Sequence, residues 1–323
     1  MVAPARSPEA IRIGISSCLL GAEVRHDGGH RRDRLITDVL GDYFEYTPVC
    51  PELESGMGVP REPVRLVGDV DRPLMVGVRS GEDHTRRMER YSQARVKALA
   101  RLDLSGYLLK AKSPSCGMER VKTYNRSGSF VGKNARGIFA RHLIEGLPHL
   151  PVEEEGRLKD AKLRENFVER VFCYHRWRAL LAAGITAGRL VAFHTAHKLL
   201  LMAHSPDHYR RLGRLVASAK KQRPAALAES YAALFFEGLA HQATTKRNTN
   251  VLQHVAGYFR KQITRDERTE LAALIEEYHR GLLPLIVPIT LINHYVRKYD
   301  EPYLAGQLYL NPHPRELMLR NHV

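Results

Sequence analysis

The stretch Ala111-Lys-Ser-Pro-Ser-Cys-Gly117 follows the apolar run Gly106-Tyr-Leu-Leu-Lys110. That run reads as a buried strand, so the Cys116 thiol stands just past a strand end, in a turn rich in Ser, Pro and Gly. Two other cysteines repeat the placement. Cys18 follows Ile11-Arg-Ile-Gly-Ile15, and Cys50 follows Tyr43-Phe-Glu-Tyr-Thr-Pro-Val49. Intervals of 32 and 66 residues separate the three, and no Cys-x-x-Cys pair occurs, so local spacing does not join them. Topology does, because ligands of open parallel sheets bind outside the carboxyl ends of the strands.

The flanking sequence supports such a sheet. A helix is expected over Asp33–Leu40, a strand over Phe44–Val49, a loop from Cys50 through Arg65 and a short strand over Leu74–Val78. Glu82–Leu102 carries Met88, Tyr91, Val96, Leu99 and Leu102 among many charges, the pattern of a surface helix with one buried stripe. Tyr124–Gly132 reads as a hairpin-type loop and Asn134–Glu145 as a helix. Strands alternating with helices predict a small α/β domain with a mainly parallel sheet. Residues 1–10 read as a loose tail, and Glu153-Glu-Glu-Gly156 as a linker, which bounds this domain at 1–155. Helical periodicity dominates afterwards, beginning with the stripe Leu163, Phe167, Val171 and Tyr174, so an all-α domain is expected over 156–323.

The net charge of +15 is unevenly placed. Residues 1–155 hold 24 Lys and Arg against 21 Asp and Glu, whereas residues 156–323 hold 26 against 14. A basic second half suggests a polyanion such as nucleic acid; the bland alternative is a domain whose cations merely face water. Four cysteines in 323 residues are not the density of a disulfide scaffold. The N-terminus lacks an apolar signal core, and the most apolar run, Gly281–Ile292, is short and holds two prolines. The expectation is a cytoplasmic protein with no membrane segment and with reduced thiols.

Three thiolates can hold an iron–sulfur cluster or three corners of a zinc site. A [4Fe-4S] cluster on three cysteines leaves one iron without a protein ligand, open to a soft donor such as sulfur. The competing reading makes each cysteine a small buried hydrophobe. Cys173, inside a helix between Phe172 and Tyr174, reads as core. Glu52, two residues after Cys50, could activate water, with Ser113 and Ser115 placing it or relaying a proton; equally, Pro51-Glu52 could cap the following turn. Arg25, His26, Asp27, Gly28 and Gly29 form a loop suited to an anionic or planar ligand, and Lys112 flanks the same rim. In the helical half, His194 and His197 share a face with Lys198, either as an interaction surface or as satisfied structural histidines. Arg210, Arg211, Arg214, Lys220 and Lys221, joined by Lys246 and Arg247, make a basic surface of the kind that binds phosphate backbones.

These motifs resemble a known family. Ser16-Ser-Cys-Leu-Leu-Gly21, Val24-Arg-His-Asp-Gly-Gly29, Val49-Cys-Pro-Glu52, Gly58-Val-Pro-Arg61 and Lys112-Ser-Pro-Ser-Cys-Gly117 are similar to the bacterial thiouracil desulfidases. Phe193-His-Thr-Ala-His-Lys-Leu-Leu-Leu-Met-Ala-His-Ser-Pro206, His254-Val-Ala-Gly-Tyr-Phe259 and Tyr309-Leu-Asn-Pro-His-Pro314 resemble the all-helical domain often fused to them. The combination resembles the tRNA 4-thiouridine desulfidases, which return 4-thiouridine to uridine. The resemblance implies a [4Fe-4S] cluster on Cys18, Cys50 and Cys116, with sulfur captured on its unique iron. It also implies Glu52 as acid–base carboxylate, a catalytic serine within Ser113-Pro-Ser115, and tRNA as partner. Alternatives are a desulfidase of free thiouracil-type bases and a non-enzymatic nucleic-acid-binding protein with a structural metal site.

Overall fold

The structure, a computed structural model, describes residues 11–322. The expected tail over 1–10 lies outside them. The chain divides into two compact units, Met1–Lys159 and Asp160–Val323. Asp160 is the N-cap of the first helix of the second unit, its carboxylate accepting from the Lys162 and Leu163 amides at 2.9 and 3.0 Å.

The first unit is built on a parallel sheet of β1 (Ile11–Ser16), β2 (Phe44–Val49), β5 (Leu104–Leu109) and β8 (Val152–Glu154), in spatial order β2-β1-β5-β8. Ile13, Ile15, Tyr107, Leu108 and Leu109 are fully buried, as strands covered on both faces require. The chain leaves β1 toward one edge and β5 toward the other. The order therefore reverses between these two strands, which opens a crevice at their carboxyl ends.

A second sheet contains β3 (Val64–Val67), β4 (Leu74–Gly77), β6 (Val121–Tyr124) and β7 (Phe130–Ala135), in spatial order β4-β3-β6-β7. It is mixed: β3 pairs parallel with β6, but the β3–β4 and β6–β7 pairs are antiparallel. From sequence, Val64 and Arg65 read as the end of a loop and Tyr124–Gly132 as a hairpin-type loop. These strands are short and half solvent-facing, so they lack a continuous apolar run. The helices are α1 (Thr85–Leu99) and α2 (Ile138–Gly146), the latter starting four residues later than expected because Asn134 belongs to β7. The expected linker at Glu153 is also corrected. Glu153 and Glu154 are buried in β8, where Glu153 accepts from Arg157 Nε at 2.6 Å and Glu154 from the Met118 amide at 2.8 Å. Buried carboxylates with such partners look, in sequence, like a solvated acidic run.

The second unit is helical: α3 (Ala161–Ala182), α4 (Ala187–His204), α5 (Pro206–Ala217), α6 (Pro224–Ala240), α7 (Thr245–Tyr258), α8 (Arg265–His279), α9 (Ile286–Lys298) and the short α10 (Pro302–Ala305). Side-chain caps at Thr186, Ser205, Thr244 and Thr264 start α4, α5, α7 and α8, and Thr264 with Glu267 completes a capping box. Trp177 stacks on Tyr231 with ring centroids 5.4 Å apart, and Phe193, Phe235 and Phe236 pack around them. Cys173 is a buried member of this core. Arg320 is buried between two carboxylates, donating to Glu165 at 3.0 Å and Glu169 at 2.6 Å, and Glu169 also meets His204 at 3.0 Å. No helix among the described residues is long and apolar enough to cross a membrane.

His194 and His197 point into this core. His197 donates from Nδ1 to the Phe193 carbonyl at 2.7 Å, and His194 Nδ1 lies 3.2 Å from the Tyr231 hydroxyl. Burial holds His194 down to about 4 and His197 down to about 3. Both rings are neutral when folded and take protons more readily when unfolded. The stability tied to them is complete above the ordinary histidine range and drains as pH falls from about 6.5 toward 4, each tenfold difference in proton affinity between the two states being worth about 1.4 kcal/mol. Trp177, the one tryptophan, reports on this unit alone. Urea titrations followed by its fluorescence should show a midpoint that drops between about pH 6.5 and about pH 4.5. The His194→Gln, His197→Gln double variant should show a flatter fall, whatever its absolute stability.

Candidate active site

Cys18, Cys50 and Cys116 line one cavity of about 360 Å³ at the carboxyl ends of β1, β2 and β5. Each is carried by a different local device. Cys18 sits in the helical turn Ser17–Leu20, and Cys50 heads the turn that continues through Leu53–Met57. Cys116 lies in a turn seated on the N-terminus of α2. There the Pro114 carbonyl accepts from the Ile138 amide at 3.1 Å and the Ser115 carbonyl from the Ala140 amide at 3.1 Å. Helix N-termini leave amides without internal partners, and the cysteine turn satisfies two of them. The approach is close enough to demand glycine at two places. A Cβ on Gly137 would stand 2.5 Å from the Ser115 carbonyl oxygen, and one on Gly117 would stand 2.8 Å from that of Ser113.

Glu52 and the two serines share the cavity. Ser115 donates to Glu52 Oε1 at 2.7 Å, and the Ser113 and Ser115 hydroxyls are 3.0 Å apart. Ser113 Oγ in turn accepts from the Ser115 and Cys116 amides at 3.3 and 3.2 Å, which leaves its proton to point along the chain toward Ser115. A relay Ser113–Ser115–Glu52 results. Ser115 is buried at its centre, and Ser113 is the more open of the two. The alternative that Glu52 caps the turn is answered by its neighbour. Glu54 Oε1 accepts from the Cys50 amide at 2.8 Å, so the capping carboxylate is Glu54.

Arg61 is a site residue that sequence reasoning does not single out, although it ends the Gly58-Val-Pro-Arg61 run. Its Nε and Nη2 both donate to Glu52 Oε2, the Nε contact at 3.1 Å. Its Nη1 is tied to the Val24 and Gly58 carbonyls at 3.1 and 2.8 Å, and its amide donates to the His26 carbonyl at 2.9 Å. Arg61 therefore joins the loop before β2 to the Glu52 turn and occupies one carboxylate oxygen, turning the other toward Ser115. Lys110 pairs with Glu155, and its amide donates to Ser16 Oγ at 3.0 Å. These contacts brace the end of β5 against β1 and β8.

The remaining expected residues divide. Arg25, His26 and Lys112 line the cavity. Asp27, Gly28 and Gly29 stand behind Arg25: Asp27 accepts from Arg25 Nε at 3.2 Å and from the Gly29 amide at 3.1 Å, which hold its carboxyl down to about 2. In the second unit Arg210, Arg211, Arg214, Lys220, Lys221 and Lys246 face solvent to differing degrees, and Lys198 is half-buried. Arg247 is committed to the end of α4, donating to the His204 carbonyl at 2.6 Å.

Burial pushes the Cys18 thiol up to about 11 and raises Cys50 and Cys116 as well. Soft donors withdrawn from water in this way become thiolates when a cationic metal centre balances them. Among the described residues no three His, Cys, Asp or Glu side chains are gathered closely enough to hold one ion. Three cysteines from separate turns on one cavity are the kind of donor set a three-cysteine cluster takes. Arg25, Arg61 and Lys110 also line the cavity, each paired with a carboxylate: Asp27, Glu52 and Glu155.

The two halves of the chain match two different families. Residues 13–155 match the family described as 2-thiouracil desulfurase, and residues 198–314 match a protein family of unknown function, DUF1722. The chain is 40% identical over 153 residues to the uncharacterized protein YbgA of Escherichia coli strain K12, covering 47% of this chain and 90% of that protein. It is 36% identical over 131 residues to the uncharacterized protein YbbK of Bacillus subtilis strain 168, covering 38% of this chain and 82% of that one. Among solved structures, the [4Fe-4S]-dependent thiouracil desulfidase TudS is 28% identical, with a TM-score of 0.37 over 46% of this chain and 93% of that one. The first unit is thus a domain with a cysteine-lined cavity at the switch point of a parallel sheet. The chain belongs to the 2-thiouracil desulfurase family, joined to a DUF1722 domain.

The seating of the cysteine turn can be tested without metal. Gly137→Val forces the turn off α2 and should destabilise the metal-free protein by about 1–3 kcal/mol in urea unfolding followed by circular dichroism.

Proposed function

We propose that the protein is an iron–sulfur-dependent tRNA desulfidase that converts 4-thiouridine to uridine. The observation that carries the reading is the Ser113–Ser115–Glu52 relay opening into the same cavity as three thiols. Cys18, Cys50 and Cys116 would hold a [4Fe-4S] cluster. When bound, the cluster supplies a Lewis-acidic iron without a protein ligand, open to a soft sulfur donor.

The protein's own residues account for the proton transfers. Glu52, with one oxygen held by Arg61, takes a proton from water through the other as the water oxygen adds to the thiocarbonyl carbon. The C–S bond then breaks, a C=O bond forms and sulfur leaves as sulfide. Carbon and sulfur keep their oxidation states, so no reductant is consumed. Ser113 meets the substrate, and Ser115 passes the proton between it and Glu52. Arg25, His26 and Lys112 on the cavity wall orient the base. The target base would enter after leaving its stack, as bases do in enzymes that act on them.

The basic second domain supports a polyanionic substrate, with Arg210, Arg211 and Arg214 on α5 and Lys220 and Lys221 just beyond it. A free thiolated base is the second reading, favoured by the description of the matched family. Anaerobically reconstituted protein incubated with 4-thiouridine-containing tRNA and, separately, with free 2-thiouracil separates the two. Loss of 4-thiouridine by mass spectrometry with release of sulfide supports the tRNA reading. Turnover of the free base alone removes it.

Two variant sets follow. Cys18→Ala should lose both the brown cluster absorbance and activity. Glu52→Gln should keep the absorbance and lower kcat by about 10²-fold or more, the scale of a general base. Reversing charge at Arg210, Arg211 and Arg214 should weaken tRNA binding and flatten its dependence on salt, the log–log slope falling by about 0.7–0.9 for each phosphate no longer neutralised.

A further inference from the structure

We propose that the solvent face of the second sheet, centred on the β6–β7 hairpin, docks single-stranded nucleotides of the RNA flanking the thiolated base. The proposal rests on the tRNA reading and extends the RNA footprint onto the catalytic domain.

One face of the sheet packs on the core and the other is partly open to solvent, with Val67 buried on it beside Tyr124. Leu66, Val121, Thr123 and Ala135 are buried on the first. The second presents Arg65, Lys122, Tyr124 and Phe130. Tyr124 is the cross-strand partner of Phe130, with ring centroids 6.2 Å apart and edge-on, and the Arg65 guanidinium lies 5.5 Å from the Tyr124 ring centre. Arg65 Nε is buried without a hydrogen-bond partner. Phe130 and Val131 are 55% and 59% exposed on an edge strand, where soluble proteins usually place charge or cover. The hairpin is well built: the Asn125 side chain accepts from the Ser129 amide at 2.8 Å, and the Asn125 amide donates to the Ser129 carbonyl at 2.9 Å. The exposed aromatic therefore stands on an ordered turn.

Charge selects the partner. From Arg120 to Arg136 the sequence carries five basic residues and no acidic one. Arg120 turns back to Glu119 at 2.8 Å, and Arg136 donates to the Met118 carbonyl at 3.1 Å. Among the described residues no carboxylate lies within ion-pair distance of Lys122, Arg126 or Lys133. Some cations elsewhere in this domain are matched, as Arg95 is by Glu54 and Arg141 by Glu89, whereas on the hairpin the unmatched ones stand beside the Tyr124–Phe130 ring pair. An aromatic ledge beside unmatched cations is the chemistry of a single strand, whose bases stack on aromatic and guanidinium planes while its phosphates meet Lys and Arg.

The position also fits. Val64, at the start of β3, lines the cavity, and Val121, at the start of β6, follows Cys116 by five residues. Both strands run from there toward the hairpin, so Tyr124 lies about 10 Å further along, at about 3.3 Å per residue. Nucleotides adjoining a base held in the cavity would meet this face.

The test uses the reconstituted full chain, with Phe130→Ala and the triple variant Lys122→Glu, Arg126→Glu, Lys133→Glu. Affinity for 4-thiouridine-containing tRNA is measured by fluorescence anisotropy over a salt series, and sulfide release is measured from tRNA and from free 2-thiouracil. Phe130→Ala should lose about tenfold in tRNA affinity, within the range for one base–aromatic stack. The triple variant should lose at least tenfold and show a shallower salt slope, and both should turn over free 2-thiouracil within twofold of wild type. Residues 122–134 of the unmodified protein should gain hydrogen-exchange protection when tRNA is added. Unchanged affinity in both variants, or no protection of the hairpin while wild type binds tRNA, overturns the docking surface and leaves the tRNA reading standing. Failure of wild type itself to bind tRNA removes both.

Discussion

The cysteine turn is held by backbone contact, and the site's geometry follows from that. Two carbonyls of the turn accept the first free amides of α2, and two glycines allow the approach. The same four residues, Ser113 to Cys116, carry a thiol and both hydroxyls of the relay. A rotation of this turn would move the cluster-type donor and the proton path together. The opposite side of the cavity is tied in a similar way by Arg61, which spans Val24, Glu52 and Gly58. Both fastenings consist of backbone or guanidinium hydrogen bonds rather than flexible side-chain packing. Such bonds hold reacting groups to the tolerance that proton transfer requires.

Much of the site was legible because strand ends carry a strong signal. Ile11–Ile15, Phe44–Val49 and Gly106–Leu109 are apolar runs stopped by Ser, Pro or Gly, and a parallel sheet then forces their carboxyl ends to one edge. The second sheet was not legible for the same reason in reverse. Val64–Val67 begins directly after Pro63, is four residues long and is interrupted by Arg65. Glu52 and Glu54 show the limit of spacing. They are two residues apart and chemically alike, yet one caps a turn and the other faces the cavity, because Arg61 and Ser115 arrive from distant parts of the chain.

Charge counts mislead in a similar way. Arg247 and Arg320 belong to the strongly basic half of the chain, but one caps α4 and the other neutralises two carboxylates of α3. Arg189 likewise closes the end of α3 through the Ala183 and Gly184 carbonyls. The cations left facing solvent are fewer than composition suggests; α5 and the turn after it carry one group of them, and others such as Lys246, Arg260 and Lys261 lie elsewhere in the unit. Conversely the first half, nearly balanced overall, holds a local stretch of unmatched cations on its hairpin. Partner selection depends on such local imbalance more than on the total.

The cavity combines groups that would be poorly matched if it were only a packed interior. Three thiols withdrawn from water resist ionisation, while Glu52 stands ion-paired with Arg61 beside them, and Arg25 and Lys110 on the same wall are paired with Asp27 and Glu155. A simple core would exclude the charges, and a simple anion site would not need the thiols. The combination becomes coherent once the thiols are ionised on a metal centre. The positive charge of such a centre would offset the thiolates, while Glu52 keeps one oxygen on Arg61 and the other on Ser115. Burial opposes each thiolate individually, so ionised thiols in this cavity would need the charge of a metal centre beside them. The three cysteine turns and the Ser113–Ser115–Glu52 chain of hydrogen bonds thus meet in one cavity.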